Sequence, residues 1–559
     1  MTDNRRAWRL TTLLPSRADY RDLRRTWRGD LVAGLTVGVV ALPLALGFGA
    51  SSGLSPEAGL VTAIVAGVLA AVFGGSNVQV SGPTGAMVVV LVPIVAQHGA
   101  GAVVVVTLLA GVLVLAAGAL RLGRAVAIIP WPVIEGLTLG IAVIIFLQQV
   151  PALASAHPAP ASERSANAAV AAVQALAHAN PVYLAWALGA VAVVAAIMLA
   201  LPRIHRLMPA SLIAIAVVAV AALAVDAPLS RIGELPSSLP LPALPAIDPA
   251  TLPSLVMPAL TVAALAAIES LLSARVATQL GDTGRYDPDR ELVGQGLASI
   301  GSALFCGMPA TGAIARTAVN VRSGGRTRLA AIVHALVLLL VVLVAAGPVG
   351  QIPLAALGGV LMVTAVRMVH RATVRAILRS SRADATLFVV TALVTVSVDL
   401  IVAVGIGLLA AGIVALRGLA RQAGTVIEPV PDARPGDEAI AIVRFDGSLI
   451  FASAERVADD VARIEGASVV ILRISNVQSM DATGARALAE LVTGLEARGV
   501  TVLLKGARPA HRALLAEVGT LGALRHENHL FDDLPAALAH ARSHIARSAS
   551  NHSPIDHAA

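Results

Sequence analysis

Two charged side chains stand where charge is costly. Glu269 lies inside an apolar run, between Ala266-Ala267-Ile268 and Ser270-Leu271-Leu272. Arg316 ends another, Met308-Pro309-Ala310-Thr311-Gly312-Ala313-Ile314-Ala315-Arg316. A carboxylate inside a membrane span is a default candidate for a proton or cation site, and an intramembrane arginine needs a cavity or a partner. The guanidinium fork matches a carboxylate, bicarbonate or sulfate. Ser273, one turn beyond Glu269, offers a further oxygen. Plainer roles are a snorkelling Arg316 and a permanent ion pair of Glu269 with Arg316 or Arg275. The helix-start reading below favours an anion site with a coupling carboxylate.

The Arg316 stretch has an earlier echo, Ser81-Gly82-Pro83-Thr84-Gly85-Ala86-Met87. Both copies carry a proline, then Thr-Gly-Ala, then an apolar run too short to span a bilayer. The first run, with Pro83 placed at its first turn and a kink at Pro93, is expected to end near Gln97. Its length is then about 22 Å, against a hydrocarbon core of about 30 Å. The second covers about 310–321. Paired short apolar segments broken by Gly or Pro, in corresponding halves, point to a transporter's binding site.

The chain around them is 57% hydrophobic and 13% charged over 559 residues. Apolar runs long enough to span a bilayer recur from Asp30 to about Arg417, which marks a polytopic helical membrane protein. The net charge of +7 sits in short arginine clusters between those runs, so it does not indicate nucleic acid. Lys505 is the only lysine, which reads as the bias of a GC-rich bacterial genome, and Cys306 is the only cysteine. No serine–histidine–aspartate, zinc or phosphate-loop constellation stands out, and the chain is not expected to be an enzyme. Glu135 reads as interfacial and Gln148 and Gln149 as interhelical. Asp282, Asp287 and Asp289 read as a solvated loop.

Counting both half-helices, fourteen segments fit. With a cytoplasmic start, the arginine-bearing connections at 121–124, 203–206, 275–290, 322–328, 367–382 and 417–421 all fall inside, leaving both termini cytoplasmic. Seven crossings per half with opposite starting sides make an inverted repeat. The half-helix N-termini then face each other near the midplane, where unpaired N–H groups and positive dipole ends form an anion site. The expected organisation is an N-terminal segment 1–29 and a membrane domain 30–420. A linker 421–437, a small layered α/β domain 438–546 and a disordered tail 547–559 follow. Asp481 is the expected cap of a helix in the α/β domain.

These residues together resemble the SulP family, the bacterial relatives of solute carrier family 26. The carriers are Ala41–Phe48, both half-helix motifs, Ile129–Gly136, Glu269-Ser270-Leu271-Leu272-Ser273, Glu291–Gly296 and Gly324–Thr327. The C-terminal domain with Asp481-Ala482-Thr483-Gly484 resembles a STAS domain. The resemblance implies core and gate domains working as an elevator, a homodimer in the bacterial inner membrane, and no cofactor beyond a proton or sodium as coupling ion. It places a small anion between Pro83-Thr84-Gly85 and the stretch Thr311, Gly312, Ala313, Ala315 and Arg316, with Phe48 lining it, and gives Glu269 the coupling position. A cytoplasmic protein partner for the STAS domain is a further expectation, as are lipid contacts. Leu44 stands where many sulfate permeases have glutamine, which draws the chain towards bicarbonate-type or dicarboxylate-type members. Ala482 replaces a phosphorylated serine of related domains and removes that switch. An anion channel, an exchanger and a non-transporting sensor are the competing functions.

Overall fold

The computed structural model describes residues 13–126, 130–156, 165, 167–204, 208–245, 248–280, 284, 286–397 and 400–550. Residues 1–12 of the N-terminal segment, Ile129, His205, Arg206, Asp282, Asp399 and residues 551–559 of the expected tail lie outside them. The chain divides into two compact units at Leu408.

Fourteen helices match the expected spans. The first seven are α1 (Leu23–Ser51), α2 (Pro56–Phe73), the half-helix α3 (Gly85–His98), α4 (Ala100–Ala119), α5 (Trp131–Gln148), α6 (Pro181–Ile204) and α7 (Ala210–Ala224). The second seven are α8 (Leu252–Leu280), α9 (Pro288–Leu304), the half-helix α10 (Ile314–Arg322), α11 (Arg328–Gly350), α12 (Leu354–Met368), α13 (Arg382–Ser397) and α14 (Leu400–Gln422). Strand β1 (Ser81–Gly82) precedes α3 and β2 (Thr311–Gly312) precedes α10. Short lead-ins and short helices thus recur in each half.

Several boundaries differ from the sequence reading, because hydropathy marks the apolar stretch rather than the helix. Helix α1 starts inside the segment expected to be a polar arm, with Arg24, Arg25 and Arg28 exposed on its first turns. Pro83 is not in the first turn of α3. It precedes the N-cap, Thr84. Helix α3 runs through Pro93 and ends one residue beyond Gln97. Two of the loop aspartates, Asp287 and Asp289, are structural. Asp287 caps α9 through the N–H groups of Asp289 and Arg290, with Pro288 in the favoured first position. Asp289 is buried and accepts the Gly123 N–H at 3.0 Å.

The helices sort by packing into two bundles. Helix α4 packs on α9, α2 on α9, α1 on α11, and α8 on α4 and α10. In the other bundle α5 packs on α13, α6 on α12, and α7 on α6. Close approach in the first bundle needs glycine. A Cβ on Gly111 of α4 would stand 2.9 Å from the Gly296 carbonyl oxygen of α9, and one on Gly118 would stand 2.7 Å from the Val293 nitrogen. In lipid, where apolar surface gains little by association, such small-residue seams carry helix packing.

The entry to α1 is pinned by charge. Asp30 is fully buried. Its Oδ1 accepts the N–H groups of Arg326 and Thr327, and its Oδ2 accepts the Thr327 and Thr26 hydroxyls. Upstream, both oxygens of Asp19 accept from Arg290, at 3.0 and 2.8 Å, and Arg328 lies 3.8 Å away.

The second unit holds a five-stranded sheet in the order β3 (Gly424–Glu428), β4 (Ile440–Leu449), β5 (Val469–Met480), β6 (Thr501–Lys505) and β7 (Leu530–Phe531). Strand β3 is antiparallel to β4 and the rest are parallel. Helices α15 (Ala454–Ala462), α16 (Ala482–Ala497), α17 (Pro509–Glu517) and α18 (Leu534–Ser550) complete it. Strand β3 lies within the expected linker, and α18 extends four residues past the expected boundary at 546. Asp481 caps α16 as expected, accepting the Gly484 N–H at 2.7 Å.

Burial alone would raise the Asp19 pKa. The hydrogen bonds from Arg290 and Ser16 and the charges of Arg328 and Arg290 outweigh it and bring the group from 3.8 to about 2. A depressed carboxyl stabilises the fold above its unfolded pKa and loses that contribution as pH falls through its folded one. Asp19→Asn should therefore melt lower than wild type in detergent near neutral pH. The gap should close as pH falls from about 4 to about 2; a gap independent of pH would refute the assignment.

Candidate anion site at the crossed half-helix starts

The two lead-ins cross as a minimal antiparallel sheet. Ser81 pairs with Gly312 and Gly82 with Thr311. The Ala313 N–H extends the pairing to the Val80 carbonyl at 2.9 Å. Non-helical backbone is tolerated inside a membrane protein only where protein buries it or it lines a cavity, and both lead-ins are buried. The register also corrects the sequence repeat. The local two-fold through the Gly82–Thr311 pair relates Thr84 to Ala313, the two helix N-caps, and continued it relates Met87 to Arg316. The Thr-Gly-Ala alignment set Thr84 against Thr311, which is offset from the folded symmetry.

Each lead-in is fixed by side chains from neighbouring helices. On the first, Glu291 of α9 accepts the Gly75 and Ser76 N–H groups at 2.9 and 3.0 Å and the Gln79 amide at 2.9 Å. Gln295 donates to the same carboxylate and to the Ser81 hydroxyl. The Val80 N–H donates to Thr317 of α10, and Asn320 donates to the Val78 carbonyl. On the second, the Met308 N–H donates to Thr62, its carbonyl accepts from Ser302, and the Gly312 N–H donates to Ser270 of α8.

At the crossing, Glu269 joins the two halves. Its Oε2 accepts the Thr84 hydroxyl at 2.8 Å and the Thr311 hydroxyl at 2.7 Å, and those hydroxyls are 3.0 Å apart. The ion pair weighed as the plainer role of Glu269 is absent among the described residues: no guanidinium hydrogen-bonds it, although Arg316 is within electrostatic reach. Ser273 does not reach this cluster. Its hydroxyl meets Thr317 at 3.3 Å.

Thr84 is the N-cap of α3, yet its hydroxyl makes no cap bond. Ala313, the N-cap of α10, has none to make. The first N–H groups of both half-helices are therefore left without a side-chain cap. Between them stands Arg316, 2% exposed. Its Nη2 donates to the Pro83 carbonyl at 2.6 Å, and its Nη1 is buried without a partner. Ala315 is exposed and Ile314 half-buried, so the α10 start opens onto free space. Phe48 of α1 reaches the other start: a Cβ on Gly85 would lie 3.4 Å from its ring. The structure thus brings Phe48, Pro83, Thr84, Gly85, Glu269, Thr311, Gly312, Ala313 and Arg316 to one place, and Ser273 to the adjoining support.

Sequence reasoning passed over three residues here. Glu291 and Gln295 were carried only as part of a motif, although a buried Glu-x-x-x-Gln pair on one helix face is itself a signal. His334 of α11 is fully buried, with neither ring nitrogen hydrogen-bonded, and lies within electrostatic reach of Arg316. A histidine in an otherwise apolar span was the available clue. Elsewhere, Gln149 joins α5 to α1 through Ser51, and Glu135 accepts from the Trp131 ring N–H.

Residues 27–391 match the model of the sulfate permease family, and residues 433–537 match the STAS domain. The chain belongs to the sulfate permease family. Its membrane unit is thus that of an anion-transporter family, and its C-terminal unit is a STAS domain. Among relatives, "Putative sulfate transporter YvdB" of Bacillus subtilis is 33% identical, over 90% of this chain and 96% of its own length. The bicarbonate transporter BicA of Picosynechococcus is 32% identical, over 83% and 86%. Among solved structures, the transmembrane domain of a cyanobacterial BicA superposes with a TM-score of 0.60 at 32% identity, over 68% of this chain and 97% of its own. Murine Slc26a9, at 18% identity, shares the fold with a TM-score of 0.82 over 96% and 94%. The relatives are named as transporters, which agrees with a chain that is not an enzyme.

Gly82 offers a direct test of the geometry. A Cβ there would stand 2.8 Å from Arg316 Nη1, closer than packing permits, and 3.3 Å from the Ala63 Cα, so the guanidinium must shift. Gly82→Ala should leave a monodisperse, folded protein while lowering anion uptake by more than about tenfold, the cost of a misplaced binding group. Uptake at the wild-type rate would show that the guanidinium is not held where anions bind.

Proposed function

We propose that the chain is a secondary active transporter of a small oxyanion, of the bicarbonate, sulfate or dicarboxylate class. Glu269 couples the movement to a proton or sodium ion. The observation that carries this reading is the pairing of two uncapped helix starts with an arginine nitrogen that lacks a partner, beside a carboxylate that holds both lead-ins. Uncapped N-termini and a desolvated guanidinium attract an oxyanion through charge-assisted hydrogen bonds. Glu269 and its two threonine hydroxyls present oxygens only, the donor set that suits a proton or a hard cation.

Charge gives the coupling a rationale. An ionised Glu269 offsets Arg316, leaving the helix starts, each worth about half a positive charge, to hold the anion. A proton or sodium ion on Glu269 makes the site more positive and weakens the tie between Thr84 and Thr311. Anion affinity and the freedom of the two lead-ins then change together. The division into two bundles supports alternating access in which α1–α4 with α8–α11 carry the site past the others. Arginine placement supports a multi-pass protein of the bacterial inner membrane with cytoplasmic termini, and the family resemblance supports a homodimer. Leu44 and the similarity to BicA favour bicarbonate, while the similarity to YvdB supports sulfate.

The test is uptake of bicarbonate, sulfate and succinate into proteoliposomes, each with and without proton and sodium gradients. Wild type should accumulate at least one of them against its gradient. Arg316→Ala should lose about 30-fold or more, the effect of truncating one partner of a buried charged hydrogen bond, 2–5 kcal/mol. Glu269→Gln should transport without sensitivity to either ion gradient, or not at all. Uptake that is equally gradient-dependent in Glu269→Gln sinks the coupling role. Uncoupled flux in wild type would mean a channel, and no flux a sensor.

A further inference from the structure

The strongest feature unexplained by anion transport lies in the STAS domain, where the fold gathers histidines that are dispersed in the sequence. His540 and His544 sit one turn apart on α18, and His529 ends the short turn Glu527–His529 just before β7. Ring centroids are 5.3 Å apart for His529 and His540, 5.4 Å for His529 and His544, and 4.9 Å for His540 and His544. The Nε2 atoms of His540 and His544 stand 3.2 Å apart. One nitrogen from each of the three rings lies within 4.8 Å of the others. The exposed ring of His526 is 5.4 Å from His529.

Two features of this cluster call for an occupant. His529 is 1% exposed, and neither of its ring nitrogens has a hydrogen-bond partner. The Val502 backbone lies beside the ring without completing hydrogen-bond geometry. A buried polar atom left unpaired costs about 1–3 kcal/mol, and native folds rarely retain one without a reason. Second, the facing nitrogens of His540 and His544 leave at least one lone pair directed inward.

We propose that His529, His540 and His544 ligate a borderline divalent transition metal, zinc above all, with water or His526 in the fourth position. Imidazole nitrogens suit zinc, copper and nickel, and three histidines with one open position is an established zinc arrangement. At Zn–N distances of about 2.0–2.1 Å, tetrahedral ligands stand about 3.3–3.4 Å apart, so His540 and His544 already have the spacing and His529 closes by about 1.5 Å at most. Neutral imidazole is the ligating form. The bound ion would staple α18, whose Ala537, Leu538 and Ala541 cover one face of the sheet, to the loop at the β7 edge. Absent cysteine hid the site from a reading by cysteine spacing, and the two pairs, His526-x-x-His529 and His540-x-x-x-His544, are separated by a strand and a helix start.

The test uses the tag-free full-length protein in detergent. Equilibrium dialysis against Zn2+ should give one ion per chain, and Co2+ should give the visible absorption of a tetrahedral nitrogen site. His540→Ala and His544→Ala, at half-exposed helix positions, should each weaken binding by more than the roughly 10–100-fold that follows loss of an outer-shell partner. The double variant should abolish the cobalt spectrum while circular dichroism and elution volume stay as in wild type. Should His529→Gln fail to fold, the His540 and His544 variants decide. Substoichiometric zinc in wild type, or unchanged affinity in the double variant, overturns the proposal.

Discussion

The centre of the membrane unit depends on where one hydroxyl points. Thr84 is placed to cap α3, and a hydroxyl cap is worth about 1 kcal/mol. A hydrogen bond to a charged group is worth about 1.5–3 kcal/mol, so the bond to Glu269 prevails. That choice has two consequences. It ties the lead-in of one half to that of the other, because Thr311 shares the same carboxylate oxygen. It also leaves the α3 start without a cap, while α10 starts at an alanine that cannot provide one. A fold that leaves two helix starts open around a partnerless guanidinium nitrogen has arranged positive charge for something other than its own stability.

The surrounding scaffold makes that arrangement affordable. Glu291 and Gln295 satisfy the first lead-in, and Thr62, Ser302 and Ser270 satisfy the second. The close approach of α9 to the first lead-in, where a Cβ on Gly294 would stand 2.4 Å from the Gly74 Cα, brings Glu291 and Gln295 close enough to act. Support and site are thus built from the same helices, and those helices form one of the two bundles. An intact bundle can carry the site without dismantling it.

Much of this was legible from residue types. Two short, interrupted segments and an arginine-weighted loop pattern give the fourteen segments and the facing half-helix starts, since both follow from what a bilayer forbids. The exact register was not legible. The Thr-Gly-Ala repeat sets Thr84 against Thr311, but strand pairing is set by hydrogen bonds across the crossing and relates Thr84 to Ala313 and Met87 to Arg316 instead. The halves are asymmetric in charge, since the apolar Met87 stands where Arg316 would be. Glu269 reads from the sequence as a candidate with an arginine weighed as its partner, because a sequence shows charges and not the hydroxyls that two distant segments deliver. The structural roles of Asp287 and Asp289 were missed for a similar reason: a loop aspartate looks solvated until the helix it caps is in place.

The most direct test of the central claim is a high-resolution structure of the protein with its transported anion bound. The account predicts density within hydrogen-bond distance of Arg316 Nη1 and of the first N–H groups of α3 or α10, with Thr84 and Thr311 still on Glu269 or jointly released from it. Density elsewhere, with the Arg316 guanidinium unchanged on the Pro83 carbonyl and both helix starts facing water, would contradict it.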